Sequence, residues 1–505
     1  METVIVHLDE GDALASAAGA PAPKSRCTRR GLFTNACGAA GAIAGTALFA
    51  ACGTTAAHPA PRSASPVITM LPTSLYTGFP IKQQQALLDQ TSAAFRQQHG
   101  GLEIRLLEPG YQTSAQASMI AGDGPDLVTD YVMTGYTAAD LLLDLSPLVK
   151  RDDVNLGNFV PAQLEYYYQS AQLSPTNPQG LYGLPADINT VAYVVNLTVL
   201  DDIGQSYPLP DWTWKEWTNM WQAATTKSNG SKPGRSGGWI DWRGYDQSGN
   251  MLTPWVFHGW GGGYVDPTDS SRSFLDNAQS IACGEWAYDL ILNGVCNGSP
   301  NFASGLVASF IVASGRMIAP ARTFTGFKWD FFAPPIWPVR KTSHTAADFV
   351  GIWAGTKEPS RAWELVKWLT LEPDWQRMLM KVGLISPNQP SMWEEWKAAV
   401  AAAAPPLATK NLQVIVDQVQ GQEPYVGNLF KNASNRDKMV LLDMATRLQQ
   451  RNLTVSLGFR EAAQQIGAIE AEAASQLPAQ RSQRQRLQQQ FPSQGPPIAS
   501  VHPGM

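Results

Sequence analysis

The chain has 505 residues, more than one ordinary hydrophobic core needs and enough for two lobes. Hydrophobic residues make up 44% of it, which predicts a folded globular protein. Charged residues make up only 16% and the net charge is −5, which excludes the basic surface expected of a nucleic-acid-binding protein. None of the 17 tryptophans precedes Trp212, so we expect aromatic packing, and a stacking surface, in the later part.

The beginning of the chain has the pattern of an export signal. Arg29 and Arg30 form a twin-arginine pattern, and the Gly/Ala-rich run that follows is too short to span a membrane. The run ends at Cys52, as in a bacterial lipoprotein signal, so residues 1–51 are predicted to be cleaved and Cys52 to carry lipid. An ordinary secretory signal cleaved nearby is the alternative. Residues 52–65, rich in Ala, Pro and Ser, predict a flexible tether to the outer face of the cytoplasmic membrane.

Two cysteines remain in the mature chain, in a compartment that allows disulfides. The helical pattern of residues 278–292 would hold the sulfurs of Cys283 and Cys296 roughly 15–20 Å apart, too far for a bond. Two buried free thiols are therefore expected. A disulfide between them remains an alternative only if that helix ends early and the chain turns back.

The first part of the mature chain alternates between strand and helix patterns. Residues 66–71, 102–106 and the run from Leu127 have the pattern of strands, and residues 81–99 and 111–121 that of helices. This order predicts an α/β lobe with a largely parallel sheet.

One loop-and-strand stretch, residues 122–131, is the predicted first wall of a ligand cleft. A Gly-Pro pair ends the preceding helix, and Asp130 and Tyr131 come where the following strand leaves the sheet. Because ligands bind outside the carboxyl ends of strands in open α/β sheets, both side chains are candidates for binding. Asp126 is expected to have a structural role at the end of the turn.

A helical pattern follows in which Trp214, Trp217 and Trp221 form one stripe, which predicts that they pack in a core. Thr213 and Glu216 form a capping box at its start.

Further tryptophans lie in sequence that resembles loops. An indole face can stack on the C–H patch of a sugar ring while nearby polar groups bind its hydroxyls. We expect this role for Trp255, and for Trp242 and Trp260 we leave it open against capping of the second core.

Two later stretches again bring polar and aromatic residues to strand ends. A Gly-punctuated segment precedes Arg322, Thr323 and Phe324, and residues 348–354 have the pattern of a strand that begins with Asp348.

The chain is expected to cross between lobes more than once. Residues 331–339 and 383–387 are extended enough to be crossings, and a hinge is expected near Ala186. The last helices are predicted over residues 438–477, and the Gln/Arg/Pro-rich sequence beyond Pro478 predicts disorder.

With these pieces assembled, the chain resembles the bacterial extracellular solute-binding proteins of family 1, the carbohydrate-importer type that includes maltose-binding protein. The stretches that carry the resemblance are Gly122 to Asp126, Tyr182 to Pro185 with Val195-Asn196, Thr213 to Glu216, Ser314 to Met317, and Ala362 to Glu364 with Trp368-Leu369.

The resemblance implies a two-lobed, type II periplasmic-binding-protein fold. Each lobe of this α/β fold is expected to have a mixed, largely parallel sheet flanked by helices, with the ligand cleft between the lobes. Lobe 1 would comprise residues 66–186 and about 337–385, lobe 2 residues 187–336 and about 386–478, and residues 479–505 a disordered tail.

The resemblance also implies a function. Such a protein closes around a sugar or oligosaccharide and presents it to an ABC import permease driven by a cytoplasmic ATPase. We therefore expect an exported, monomeric binding protein without enzymatic activity, metal or cofactor.

The predicted ligand residues combine the strand-end positions above with those that the resemblance implies after the Gly-Leu-Pro turn. They are Thr73, Ser74, Asp130, Tyr131, Asp187, Asn189, Trp242, Trp255, Trp260, Arg322, Thr323, Phe324 and Asp348.

Two alternative functions stay open at this point. A lipid-anchored glycosidase would need two carboxyls across the cleft, for which Asp130 and Asp187 are the available pair. The G-x-S-x-G match around Ser236 lies in loop sequence, whereas a nucleophile elbow needs a strand before it and a helix after it. The other alternative is a binding protein that reports to a membrane sensor.

Overall fold

A computed structural model describes residues 67–71, 81–99, 102–107, 115–130, 133–226, 235–238, 254–266, 269, 272–296, 301–381, 386–421, 423–425 and 434–490. The predicted signal, with Arg29 and Arg30, the lipidation site Cys52 and the tether lie outside these described residues.

Ten strands are described. In chain order they are β1 (Val67–Met70), β2 (Glu103–Leu106), β3 (Leu127–Asp130), β4 (Leu184–Pro185), β5 (Asn189–Asn196), β6 (Ser309–Ala313), β7 (Trp329–Phe332), β8 (Thr342–Ala346), β9 (Phe349–Ile352) and β10 (Glu423–Tyr425).

Sixteen α-helices are described. They are α1 (Ile81–His99), α2 (Ala115–Ala121), α3 (Thr134–Ala138), α4 (Ser146–Arg151), α5 (Pro161–Ala171), α6 (Leu197–Ile203), α7 (Trp214–Thr226), α8 (Pro254–Gly259), α9 (Ala278–Leu292), α10 (Ile318–Thr323), α11 (Pro359–Leu371), α12 (Pro373–Lys381), α13 (Trp393–Ala403), α14 (Gln413–Gly421), α15 (Ser434–Gln449) and α16 (Val455–Gln490).

The first lobe is built on a five-stranded sheet of order β2-β1-β3-β9-β4. Strand β1 pairs in parallel with β2 and β3, whereas β9 is antiparallel to β3 and β4. The core on this sheet includes the fully buried side chains of Phe95, Phe349 and Trp363. The predicted α/β lobe is confirmed, but its sheet is mixed and not largely parallel, because two of its four strand pairs are antiparallel.

The second lobe is built on a sheet of order β10-β8-β5-β6, with β7 also paired to β5. Strand β5 has buried residues on both faces: Tyr193 and Val195 pack in one cluster and Val194 in another. This alternation follows from the two-residue period of a strand and predicts a sheet covered by helices on both sides.

The second sheet differs from the expectation of a largely parallel arrangement. Strand β5 runs away from the first lobe, while β6, β7 and β8 are all antiparallel to it. Only β8 and β10 form a parallel pair among the described strands of this sheet.

The chain passes between the two sheets at three places. It leaves β4 for β5 through Ala186, it returns from β8 to β9 through Asp348, and it crosses again near Ser386, which pairs with Ile188. Ala186, the predicted hinge, therefore lies in the first crossing.

The predicted crossing at residues 331–339 was wrong. This segment begins within β7, and Ile336 pairs with Thr213, so it stays in the second lobe. Because β8 also belongs to the second sheet, the lobe boundary lies after Ala346 and not at residue 337.

The predicted tryptophan core is confirmed for Trp217 and Trp221, which are buried on α7. The indole N–H groups of both donate to the Ser309 hydroxyl on β6, at 3.2 and 2.6 Å. The capping box is also present, because Thr213 and Glu216 exchange hydrogen bonds at the start of α7.

Three further predictions can be compared with the structure. Cys283 and Cys296 are buried free thiols, and burial raises the pKa of both. Ser236 is buried and pairs with Val307, so it does not form an exposed nucleophile elbow. The disorder predicted from residue 479 is wrong as far as Gln490, because helix α16 continues to that residue.

Candidate functional site

The turn before β3 is fixed by a single carboxylate. One Asp126 oxygen accepts the backbone N–H of Thr69 at 2.8 Å and its hydroxyl at 2.7 Å. The other accepts the Thr356 hydroxyl at 2.6 Å. Asp126 thus ties β1, β3 and the segment after β9 together, which confirms its expected structural role.

Asp130 ends β3, opposite Phe349 in the sheet. Its half-buried carboxylate accepts a hydrogen bond from the Tyr136 hydroxyl at 3.3 Å. Phe349 also pairs with Pro185 on its other side, so Asp130 lies at the same end of the sheet as the first crossing.

The first crossing carries a fully buried acid, Asp187. One of its carboxyl oxygens accepts the backbone N–H of Asp348 at 2.8 Å, and the other accepts the Asn189 amide N–H at 2.7 Å. Gln163 donates to the Asp187 main-chain carbonyl at 2.7 Å. Burial and the nearby Asp348 raise the pKa of Asp187 well above its usual range.

The Asn189 side chain links this acid to the second lobe. Its amide oxygen accepts the backbone N–H of Gly315, which follows β6, at 3.1 Å. Next to it, the Ser314 hydroxyl accepts the Thr190 backbone N–H at 3.1 Å and a hydrogen bond from the Ser386 hydroxyl at 2.9 Å. The first and third crossings are thereby connected by side chains.

The third crossing is held against the first lobe by two amides. Asn388 donates to the carbonyls of Pro185 at 2.6 Å and Thr370 at 2.7 Å, and Gln376 donates to that of Ala186 at 2.8 Å. These bonds satisfy backbone groups that would otherwise be buried without partners between the sheets.

The structure therefore brings four predicted residues to one region, where both sheets end: Asp130, Asp187, Asn189 and Asp348. We call this region the hinge-side cleft. A buried tyrosine, Tyr167, borders it; burial and the charges of Asp187 and Asp348 raise its pKa.

Sequence reasoning missed Tyr167 and the serine pair Ser314 and Ser386. Both serines lie within stretches that the sequence singled out, but nothing in the local pattern shows that their hydroxyls meet.

The tryptophan predictions have mixed outcomes. Trp260 packs in the second core, with its ring 4.8 Å from that of Trp214 and 5.6 Å from that of Trp286, so it caps this core. Trp255 lies on α8, which gives it a helical backbone and not the expected loop. Trp242 lies outside the described residues, as do Thr73, Ser74 and Tyr131.

The three residues expected at the end of the Gly-Arg-Met segment contact their own lobe. Arg322 donates at 3.2 and 2.7 Å to the carbonyl of Ala403, where α13 ends. Thr323 bonds the carbonyl of Pro320 within α10, and Phe324 is buried. The expected alignment failed here because the chain forms helix α10 after Met317 instead of a buried strand.

Across the residues that the structure describes, no group of three or more His, Cys, Asp or Glu side chains could hold a metal ion. None of the described helices is long and apolar enough to cross a membrane.

Comparison with known proteins identifies relatives of this architecture. The family described as "Bacterial extracellular solute-binding protein" matches residues 81–374. No curated protein matches the sequence significantly.

Several solved structures share the fold. An ABC substrate-binding protein from Listeria monocytogenes in complex with cycloalternan has a TM-score of 0.62 at 16% identity and covers 81% of this chain and 99% of its own. The cyclic alpha-maltosyl-1,6-maltose binding protein of Arthrobacter globiformis has a TM-score of 0.57 at 18% identity and covers 80% and 98%. UgpB of Mycobacterium tuberculosis, in complex with glycerophosphocholine, has a TM-score of 0.60 at 17% identity and covers 81% and 99%.

Proposed function

Because the chain belongs to the bacterial extracellular solute-binding proteins, whose members bind solutes and are not enzymes, we propose that it captures a sugar or oligosaccharide in the hinge-side cleft and delivers it to an ABC import permease. The observation that supports this proposal is that Asp130 and Asn189 each lie at the end of their sheet next to the crossings that join the two sheets. A half-buried carboxylate there can accept two sugar hydroxyls, and an amide can both donate and accept.

The class of ligand is supported by the fold relatives. Of the three similar structures above, one holds cycloalternan, one is a cyclic alpha-maltosyl-1,6-maltose binding protein, and one holds glycerophosphocholine. Asp130 favours a neutral, hydroxyl-rich ligand, because a second anionic group beside this carboxylate would be repelled.

The experiment is a thermal-shift screen of the purified protein against neutral mono- and oligosaccharides, glycerophosphocholine, amino acids and polyamines. We expect a sugar to raise Tm and to quench tryptophan fluorescence as the lobes close. Asp130→Asn should weaken binding of that sugar by at least about tenfold, since a charge-assisted hydrogen bond to the ligand is lost.

A matched control is Asp374→Asn, the same chemical change at a carboxylate on α12 that is 72% exposed. It should leave sugar affinity unchanged. A Tm rise with amino acids or polyamines only would overturn the proposed ligand class.

We also propose that the protein is exported by the twin-arginine route, held at the outer face of the cytoplasmic membrane by lipid on Cys52, and monomeric. Cys52→Ser should move the protein from the membrane fraction to the soluble fraction. The double variant Arg29→Lys with Arg30→Lys should keep the protein inside the cell, because the twin-arginine pattern is lost. Retention of the Cys52→Ser protein in the membrane fraction would contradict the lipid anchor, and a dimer mass in sedimentation would contradict the monomer.

A further inference from the structure

The Asn189 side chain is held from both ends. Its oxygen faces the Gly315 N–H at 3.1 Å, and its nitrogen faces Asp187 at 2.7 Å. A backbone N–H can only donate, so the amide oxygen must point to Gly315 and the NH₂ group to Asp187. One N–H and one lone pair of this half-buried amide remain available for a ligand.

This orientation requires Asp187 to accept hydrogen bonds. Both of its carboxyl oxygens face donors, the Asn189 amide and the Asp348 backbone N–H. An ionised carboxylate is a strong acceptor at both oxygens, whereas a protonated carboxyl accepts more weakly and its O–H would need an acceptor that neither of these two donors provides. The hydrogen-bond arrangement therefore matches the ionised form of Asp187.

The surroundings of Asp187 favour the opposite protonation state. Its side chain is fully buried, and Asp348 adds a like charge. The other titratable group against it among the described residues is Tyr167 on α5, while α12 and the third crossing contribute the neutral Gln376 and Ser386. No described cation offsets the buried charge in the bonds or charge interactions of Asp187.

We propose that Asp187 is a positioning residue for Asn189: its carboxylate holds the Asn189 amide in the orientation in which it binds ligand, and protonation of Asp187 releases that amide and its bond to Gly315. This proposal rests on the proposed function, because it assigns Asp187 a supporting role in the same site. It also replaces the expectation that Asp187 itself contacts the ligand, since its side chain is fully buried.

The raised pKa of Asp187 determines how its bond to Asn189 depends on pH. Because the pKa of Asp187 is raised well above its usual range, protonation begins at a higher pH than for an exposed aspartate. The hydrogen bond between Asn189 and the Gly315 N–H is therefore present at high pH and is lost as the pH falls through the raised pKa of Asp187.

The test is amide hydrogen exchange of the full chain without ligand, resolved to the Gly315 N–H. In the wild-type protein we expect protection of this N–H, corrected for intrinsic exchange, to fall at least about tenfold as the pH is lowered while remote helices stay protected. Asn189→Ala removes its acceptor and defines the unprotected rate. Asp187→Asn should give lower protection that does not vary with pH, because its neutral amide does not titrate and offers one acceptor oxygen to two donors.

The matched control is Asp130→Asn, the same change at the same end of the sheet without the contact to Asn189. It should keep wild-type protection of the Gly315 N–H and its pH dependence. Protection that is independent of pH in the wild type, or unchanged in Asp187→Asn, would overturn the proposal. The wild-type pH series needs no variant to fold and no known sugar, so its outcome is separate from that of the ligand screen.

Discussion

At the scale of single residues, two aspartates four positions apart, one just before β3 and one at its end, have different surroundings. Asp126 accepts three hydrogen bonds from Thr69 and Thr356 and joins three segments of the first lobe. Asp130 is half-buried at the end of β3, where the chain also crosses to the second lobe. A structural carboxylate thus precedes the strand, and the carboxylate at its end is the one that we propose binds the ligand.

Asp126→Ala should lower the free energy of unfolding by about 2–3 kcal/mol, because the Thr69 N–H and two hydroxyls lose their acceptor. Urea unfolding followed by circular dichroism measures this change. Asp130→Ala serves as the comparison and should cost clearly less stability while it abolishes sugar binding. Equal losses of stability in the two variants would contradict the division of roles.

The candidate site shows what sequence could and could not predict at this scale. Asp130 was predicted because a polar residue at the end of a buried strand indicates a binding edge, and Asn189 because the family resemblance implies a contact after the Gly-Leu-Pro turn. Arg322 and Phe324 were misplaced because a motif gives their position along the chain but not which neighbour the side chain meets. The hydrogen bond between Ser314 and Ser386 joins residues 72 positions apart, which no local pattern encodes.

At the scale of elements, the helical hairpin of α15 and α16 supports the second lobe. Ion pairs at Arg447–Glu461 and Arg436–Glu472 fix the two helices antiparallel. Between them lies a fully buried acid, Asp437, beside the equally buried Glu470. Burial and Glu470 raise the pKa of Asp437 to about 8.

This raised pKa predicts a stability change with a definite sign. Between the unfolded value near 4 and about 8, the folded protein binds more protons at Asp437 than the unfolded chain does. The contribution of protonated Asp437 to the free energy of unfolding is therefore fully present at low pH and is lost as the pH rises through about 8. Asp437→Asn removes the titration, so Tm of the variant relative to wild type should increase from pH 5 to pH 9. A difference in Tm that stays constant over this range would refute the prediction.

Helix α9 packs closely on α16 through a glycine. A Cβ at Gly284 would lie 2.6 Å from the Phe459 ring and 2.8 Å from Val455. Gly284→Ala should therefore destabilise the protein despite the better helix propensity of alanine. Gly467 lies on α16, and a Cβ there would have nothing within 4 Å, so Gly467→Ala should stabilise the protein by about 0.5–1 kcal/mol. Thermal unfolding of both variants tests the pair; stabilisation by both would show that the helices can separate without cost.

Elements differed in how well they were predicted. The helices at 81–99 and 278–292 match their predicted ranges because both have clear periodicity and end signals. The antiparallel second sheet was missed, since strand order is set by contacts distant in sequence. The C-terminal tail was misjudged from composition, although Gln and Arg are good helix formers.

At the scale of the whole molecule, three crossings join the two sheets, and side-chain hydrogen bonds link the crossings to one another and to the second lobe. The two-lobed architecture could be predicted from the sequence because several weak motifs occurred in one order. The positions of the crossings could not, because an extended proline-rich segment such as residues 333–339 looks the same inside a lobe as between lobes.

Helix α16 adds a mechanical constraint to this arrangement. It has 36 residues and is therefore about 54 Å long. It packs on α9 and α15 in the second lobe and also contacts α2 in the first. A helix that contacts both lobes resists their rotation, so any closing motion must move α2 along α16 or separate the two helices. Some of the free energy released when the ligand binds is then spent on this rearrangement, and the apparent affinity is lower than that of a protein already closed.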